Sequence, residues 1–185
     1  MNKMKLTLAA ALISALPLLQ GCVPVVIGAG AAAGVMTVHD RRSTGVQTDD
    51  ETLEWKAMQQ VPEQYKASSH LNFTAYNGRL LITGEAFTPE AKAAIGDAMG
   101  KIQGVKRVEN DIAVAPVSPL GNRSNDGYIT SKLKARLVDE KQLSANHIKV
   151  VTENTVAYLM GIVTEREAKV AVQIARTTDG VRKVV

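Results

Sequence analysis

The sequence contains a single cysteine, Cys22, in 185 residues, so the chain cannot form an intramolecular disulfide. Aromatic residues are also scarce, at 4%, although apolar residues reach 45%. This composition favours a packed core of small aliphatic side chains over a core built around large rings. The formal net charge is only +4, which is too small to indicate a nucleic-acid partner.

Signatures of catalysis are missing as well. The three histidines, His39, His70 and His147, show no metal-ligand spacing and have no cysteine partner. His147 precedes a predicted strand, and we expect it to lie in an exposed loop. The sequence contains neither a G-x-S-x-G nor an H-E-x-x-H motif. We therefore expect a protein without enzymatic activity, cofactor or metal site.

The N-terminal segment has the pattern of an export signal. Lys3 and Lys5 precede an apolar run that ends at Leu19 and is short for a membrane-spanning helix. Residues 19–22, Leu-Gln-Gly-Cys, resemble a bacterial lipobox, in which the cysteine sulfur takes a diacylglyceryl group and cleavage frees its amine for a third acyl chain. This predicts a lipoprotein signal peptide over residues 1–21 and lipidation at Cys22. The alternative is an ordinary secreted protein with an incidental thiol.

The residues after Cys22 indicate where the anchor lies. Val23 stands where an aspartate retains enterobacterial-type lipoproteins at the inner membrane. We therefore expect an outer-membrane anchor with the body of the protein facing the periplasm. Residues 22–47 are predicted to be the acylated cysteine and a flexible tether. The glycines of this tether do not fit the spacing of a G-x-G-x-x-G dinucleotide fingerprint.

An internal repeat with a period of 76 or 77 residues sets the domain organisation. Gly84 matches Gly161, and both copies end in Gly-Val-x-x-Val, at residues 104–108 and 180–184. The polar pair Asp49-Asp50 matches Asn125-Asp126, and each pair is predicted to cap the start of a helix. The predicted domains are residues 48–115 and 125–185, joined by a linker over residues 116–124.

Each repeat has the element order α-β-β-α-β. In the first copy, a helical pattern is followed by two alternating strands around an Asn77-Gly78 hairpin turn. Thr88 and Pro89 then begin a second helix, Gly104 ends it, and a third strand follows. This predicts an α+β fold in which two helices cover one face of a three-stranded mixed sheet. We expect Trp55, on the first helix, to pack in the core or between the domains.

This repeat resembles the BON domain in its Gly-Val-x-x-Val ending and in the positions of Gly84 and Gly161. The whole chain resembles the dual BON-domain outer-membrane lipoproteins of Gram-negative bacteria, with close matches at residues 75–78 and 163–169. The resemblance implies two tandem BON domains, phospholipid binding, and a role in outer-membrane integrity and at the division site. It implies no catalysis.

Charge differs between the two repeats and points to the first helix of the second one. Residues 53–114 contain seven basic and seven acidic residues, whereas residues 128–185 contain ten basic and six acidic residues. Tyr128, Lys132 and Arg136 share one helical face, and a tyrosine ring suits the level of lipid headgroups. The candidate phospholipid-binding residues are Gly121 and Asn122, just before the helix, and Tyr128, Ser131, Lys132, Leu133, Lys134, Ala135, Arg136 and Val138.

The predicted partner is therefore an anionic phospholipid, phosphatidylglycerol or cardiolipin, with no nucleic acid bound. Each basic residue near an anionic surface contributes roughly 1 kcal/mol. Two other interpretations stay open at this point. In one, the same helix face binds an envelope-assembly or cell-wall-remodelling protein, and the chain is a periplasmic adaptor. In the other, weaker one, the repeats form a chaperone-like stress module.

Overall fold

Two copies of the same arrangement of helices and strands follow one another in the computed structural model, which describes residues 40–185. The signal peptide, the lipidation site Cys22 and the glycine-containing tether up to residue 39 lie outside the described residues. Residues 38–185 form one compact unit, which holds both copies and their hydrophobic cores.

The first domain begins with a long helix, α1, which covers one side of a β-hairpin. A four-residue helix, α2, follows it, and a second long helix, α3, comes after the hairpin. The bounds are α1 Thr44–Gln60, α2 Glu63–Lys66, β1 Ser69–Tyr76, β2 Arg79–Ala86, α3 Pro89–Gly100, β3 Arg107–Asn110 and β4 Ala113–Val114.

The second domain repeats this order with a longer first helix and a short 3-10 turn before the hairpin. The bounds are α4 Leu120–Asp139, the 3-10 turn Ala145–His147, β5 Ile148–Glu153, β6 Val156–Gly161, α5 Glu165–Arg176 and β7 Lys183–Val184.

Both sheets are mixed, as predicted from the sequence. In each domain the hairpin strands are antiparallel, and the last strand returns parallel to the second strand of the hairpin. In the first domain that last strand is interrupted, so β3 and β4 both pair with β2. The predicted α+β fold with two copies of one unit is thereby confirmed.

The first helix of each domain begins earlier than its sequence pattern predicted. Helix α1 starts at Thr44, inside the predicted tether, because the Ser43 side chain accepts a hydrogen bond from the Val46 amide. Helix α4 starts at Leu120, inside the predicted linker, directly after Pro119. A serine cap and a proline just before the first turn are both common at helix starts.

The aspartates predicted to cap these helices have a different role. Asp50 is 2% exposed, and its carboxylate accepts hydrogen bonds of 2.7 and 2.8 Å from the amides of Asn77 and Gly78. Asn77 and Gly78 have positive φ angles of 53° and 79°, so the hairpin turn presents both amides to one side. Asp50 therefore ties the interior of α1 to the turn between β1 and β2.

The second domain contains the same connection, which we call the aspartate–hairpin clamp. Asp126 is 6% exposed and accepts hydrogen bonds of 2.8 and 2.9 Å from the amides of Asn154 and Thr155. These two residues also have positive φ angles, 47° and 63°. The repeat in the sequence is thus a repeat of a specific buried interaction.

Each domain has its own aliphatic core between its helices and one face of its sheet. In the first domain, Leu53 and Ala57 of α1 and Ile95 of α3 pack on Leu80 and Ile82 of β2. The corresponding core of the second domain contains Leu133, Leu137, Ile148, Val150, Ala157, Ala171 and Ala175.

The prediction that Trp55 is packed in the core or between the domains is wrong. Its side chain is 62% exposed. Trp55 follows Leu53 by two residues, and residues two apart on a helix do not share a face. With Leu53 turned into the core, Trp55 is directed to solvent.

The second face of each sheet is used for contact between the domains. The phenol of Tyr76 donates a hydrogen bond to the His147 carbonyl at 3.2 Å and accepts one from the Ile162 amide at 3.3 Å. From the second domain, the phenol of Tyr158 donates a hydrogen bond to the Asp111 carboxylate of the first domain at 2.6 Å. Burial, followed by this hydrogen bond, raises the pKa of Tyr158 well above its usual value.

Charged side chains reinforce this contact. The Lys149 ammonium reaches Glu54 at 2.5 Å and the Ala75 carbonyl at 3.3 Å. Arg41 donates to both carboxylate oxygens of Glu167 at 2.8 and 2.9 Å. The hydrogen bond from Arg41, followed by those at the start of α5, lowers the pKa of Glu167 to about 2.

The expected exposed position of His147 is also wrong. His147 is only 8% exposed, because the 3-10 turn places it beside the contact between the domains. Its Nδ1 lies 3.9 Å from the Glu167 carboxylate, and its carbonyl accepts the hydrogen bond from Tyr76.

We predict that Asp126→Ala destabilises residues 38–185 by about 1–3 kcal/mol, because the two amides of the hairpin turn lose the buried carboxylate that accepts their hydrogen bonds. Urea unfolding followed by circular dichroism measures the change. Asn125→Ala, at an exposed position in the same helix, is the control and should change stability by less than about 0.5 kcal/mol. Equal stability of the two variants would contradict the importance of the clamp.

Candidate functional site

The outward surface of α4 carries most of the residues that the sequence analysis selected. The helix turns Ile129, Leu133 and Leu137 into the core, where each is at most 1% exposed. Leu133 was among the candidate lipid-binding residues, but its burial leaves it no access to a membrane surface. Its role is to hold α4 on the second domain.

Gly121 and Asn122 lie in the first turn of α4, not before the helix as expected. Both are exposed, so they remain part of the outward surface. The early helix start also adds Leu120, whose side chain is 77% exposed. Leu120 falls within the predicted linker, so its place on this surface follows only from the observed start of the helix.

A line of exposed apolar groups runs along the helix opposite its core stripe. Leu120, Tyr128 and Val138 are 77%, 63% and 70% exposed, and Ala135 is exposed between the last two. Ser131 is exposed on the same side and donates its hydroxyl to the Gly127 carbonyl, which satisfies it within the helix. We call this set of residues the α4 face.

Cationic side chains flank the α4 face on both sides. The Lys132 ammonium lies 4.8 Å from the centre of the Tyr128 ring and 3.1 Å from the Asp179 carboxylate. Because Asp179 is almost fully exposed, this ion pair contributes at most about 1 kcal/mol and can exchange for another anion. Lys134 is exposed on the other flank, next to Val138.

Arg136 is engaged differently from the two lysines. Its guanidinium donates to the Ile174 carbonyl at 2.9 Å, to the Thr178 hydroxyl at 2.7 Å and to the Thr177 hydroxyl at 3.0 Å. These groups lie at the C-terminal end of α5, where a cation is favourable to the helix dipole. Arg136 therefore joins α4 to α5 and is less available to a ligand than Lys134.

A shallow groove of about 330 Å³ lies beside Lys134 and Val138. Arg42 and Tyr76 of the first domain form part of its lining, and the Arg42 guanidinium is stacked 4.0 Å from the Tyr76 ring centre. Arg42 is paired with Asp40 and Asp50 at 2.8 and 2.7 Å. The groove thus continues the α4 face towards the first domain.

Comparison with known proteins gives the family. The sequence model of the BON domain matches residues 49–116 and 125–185, which together make up most of the chain. The chain belongs to the BON-domain family. It carries two copies of the domain, one in each half of the described structure.

The relatives of this BON protein include one named lipoprotein. It is 36% identical over 178 residues to the outer membrane lipoprotein DolP of Haemophilus influenzae, covering 95% of this chain and 92% of that protein. It is 33% identical over 148 residues to a 21 kDa hemolysin of Actinobacillus pleuropneumoniae, covering 79% and 76% of the two chains. The BON protein described here is an outer-membrane lipoprotein.

The osmotically inducible protein Y of Escherichia coli is a more partial relative. It is 36% identical over 69 residues, which is 37% of this chain and 34% of that protein. Among residues 40–185, no helix has both the length and the apolar character to cross a bilayer.

We predict that Arg136→Ala and Lys134→Ala have different effects on stability. Loss of three hydrogen bonds between α4 and α5 should cost about 1–3 kcal/mol for Arg136→Ala. Lys134→Ala removes an exposed side chain and should change stability by less than about 0.5 kcal/mol. Urea unfolding of residues 38–185 measures both variants. Equal effects would contradict the assignment of Arg136 to helix–helix contact.

Proposed function

We propose that this outer-membrane lipoprotein has a non-enzymatic role and binds anionic phospholipid through the α4 face of its second BON domain. The acylated Cys22 anchors the chain, and the body faces the periplasm. Phosphatidylglycerol and cardiolipin are the proposed ligands. Through this binding the protein supports the integrity of the outer membrane, at the division site in particular.

The observation that carries the proposal is the combination of exposed apolar side chains with flanking lysines on α4. An amphipathic helix lies on a membrane with its apolar groups among the acyl chains and its basic groups at the lipid phosphates. Leu120, Tyr128 and Val138 supply the apolar groups, and Lys132 and Lys134 supply the charge. Tyrosine also suits the interface, because its ring is apolar and its hydroxyl is polar.

The first helix of the first domain provides an internal comparison. Helix α1 also exposes two large apolar residues, Trp55 at 62% and Met58 at 52%. However, α1 contains four acidic residues and one basic residue, whereas α4 contains four basic and two acidic residues. We therefore expect an anionic surface to favour α4 over α1, which supports the second domain as the proposed lipid-binding one.

The lipid anchor makes a weak interaction sufficient. Exposed lysines are screened by salt, so we expect the affinity of the α4 face for free vesicles to be low and salt-dependent. Attachment at Cys22 confines the domain near the membrane and raises its effective concentration. The contact between the domains fixes the orientation of α4 relative to the first domain.

Vesicle sedimentation with residues 38–185 tests the proposal, since this fragment contains both cores but not Cys22. We expect Tyr128→Ala with Lys134→Glu to weaken binding to phosphatidylglycerol vesicles by at least about tenfold, given roughly 1 kcal/mol per basic residue. The matched control is Trp55→Ala with Lys56→Glu on α1, which should retain binding. Phosphatidylcholine vesicles should bind neither the unsubstituted fragment nor either of the two variants.

Two results would contradict the proposal. One is binding that the α4 variant retains and the α1 variant loses. The other is an absence of binding to anionic vesicles by the unsubstituted fragment. In that second case the α4 face is better explained as the contact surface for an acidic protein partner, and the chain as a periplasmic adaptor in envelope assembly or cell-wall remodelling.

A further inference from the structure

Three side chains with metal-binding atoms meet where the two domains touch. His70 of β1 and Glu85 of β2 are direct cross-strand partners, and Glu153 comes from the end of β5 in the second domain. One ligand atom from each of the three residues lies within 4.8 Å of the others. We call this group the His70–Glu85–Glu153 cluster.

A close approach of the two strands brings the first pair together. Gly84 has a φ of +110°, and a Cβ atom at this position would lie 2.0 Å from the His70 carbonyl oxygen. A side chain is therefore excluded at residue 84, because the backbone of the neighbouring strand β1 lies too close to it. This contact fixes His70 and Glu85 opposite each other on the face of the sheet that meets the second domain.

The two carboxylates of the cluster are buried, and a buried negative charge costs free energy unless it is compensated. Glu85 is 3% exposed and Glu153 is 7% exposed. Two ionised carboxylates in a buried position are costly unless a positive charge compensates them. His70 supplies at most one positive charge, and only when its ring is protonated. A divalent cation would neutralise both carboxylates and leave the imidazole neutral, as a metal ligand requires.

The surroundings of the cluster already orient its ligands. Glu153 Oε2 accepts hydrogen bonds from the side-chain amide of Asn72 at 2.6 Å and from the Thr83 hydroxyl at 3.3 Å. Glu85 Oε2 accepts one from the Ser118 amide at 3.3 Å and lies 3.3 Å from His70 Nδ1. Outer hydrogen bonds of this kind hold carboxylate ligands in place around metals.

The donor atoms of the cluster are suited to a small divalent metal ion, and the cluster is accessible from solvent on its His70 side. Imidazole nitrogen and carboxylate oxygen are both zinc ligands, and a site with three protein ligands leaves a fourth tetrahedral position for water. The His70 side chain is 19% exposed, which leaves a route for an ion from solvent. The more buried carboxylates lie behind it.

We propose that the His70–Glu85–Glu153 cluster binds a zinc ion that joins the two BON domains. Two ligands come from the first domain and one from the second, so the bound ion stabilises the contact between the domains. This departs from the expectation of no metal site, which rested on the lack of metal-ligand spacing among the histidines and of a cysteine partner. The site is separate from the α4 face and does not depend on lipid binding.

Calorimetric titration of residues 38–185 with zinc chloride tests this site. We expect one ion per chain, with affinity reduced at least about tenfold by each of His70→Asn, Glu85→Gln and Glu153→Gln. These substitutions keep side-chain size and so preserve packing, which circular dichroism checks. Glu63→Gln, at an exposed carboxylate outside the cluster, is the matched control and should leave the affinity unchanged.

A second measurement separates a site between the domains from zinc bound elsewhere on the surface. At a zinc concentration close to the dissociation constant of the unsubstituted fragment, zinc should raise the melting temperature of that fragment more than that of Glu153→Gln, because the variant has lost one of the three ligands and binds the ion more weakly. X-ray absorption of the zinc-loaded fragment should show one imidazole and otherwise oxygen ligands. An absence of binding, or binding that His70→Asn and Glu153→Gln both retain, would overturn the proposal.

Discussion

The aspartate–hairpin clamp is the interaction on which each domain of this protein depends. A carboxylate in the interior of the first helix accepts two hydrogen bonds from a turn whose residues have positive φ angles. The clamp fixes the long helix against the hairpin, and the aliphatic core fills the space between them. Because the turn belongs to the two antiparallel strands, the same carboxylate also sets the position of the sheet. Asp50 and Asp126 occupy equivalent positions in the two repeats.

With one face of each sheet covered by helices, the opposite face is left for contact between the domains. Polar and charged residues occupy this contact, among them Tyr76, Tyr158 and Lys149. Hydrogen-bond donors come from both domains, so both domains contribute to the contact. The helices consequently remain on the outside. The two helices differ in charge, mainly acidic residues on α1 and mainly basic residues on α4, and the proposal of lipid binding by the second domain rests on this difference.

Sequence periodicity predicted the repeat, the element order and the mixed sheets, because each depends on local patterns that recur at a fixed spacing. The same patterns misplaced the helix starts, since Ser43 and Pro119 begin helices within segments that are polar or rich in turn residues. The sequence pattern predicts Asp50 and Asp126 as helix caps, whereas their true hydrogen-bond partners lie 27 to 29 residues further along the chain. Helical spacing predicts Tyr128 of the α4 face together with Lys132 and Arg136, whereas Leu120 follows only from the true helix start. Spacing along the chain could not reveal that Glu153 lies beside His70 and Glu85, because that proximity arises only when the two domains pack together.

The central claim is that α4 and not α1 contacts anionic lipid, and an NMR titration of residues 38–185 tests it most directly. Micelles of phosphatidylglycerol should shift the amide resonances of Leu120, Tyr128, Ala135 and Val138 and of the adjoining lysines. A zwitterionic micelle should leave these resonances unchanged, since the lysines contribute only at an anionic surface. Equal shifts with both micelles, or shifts centred on Trp55 and Met58, would contradict the account.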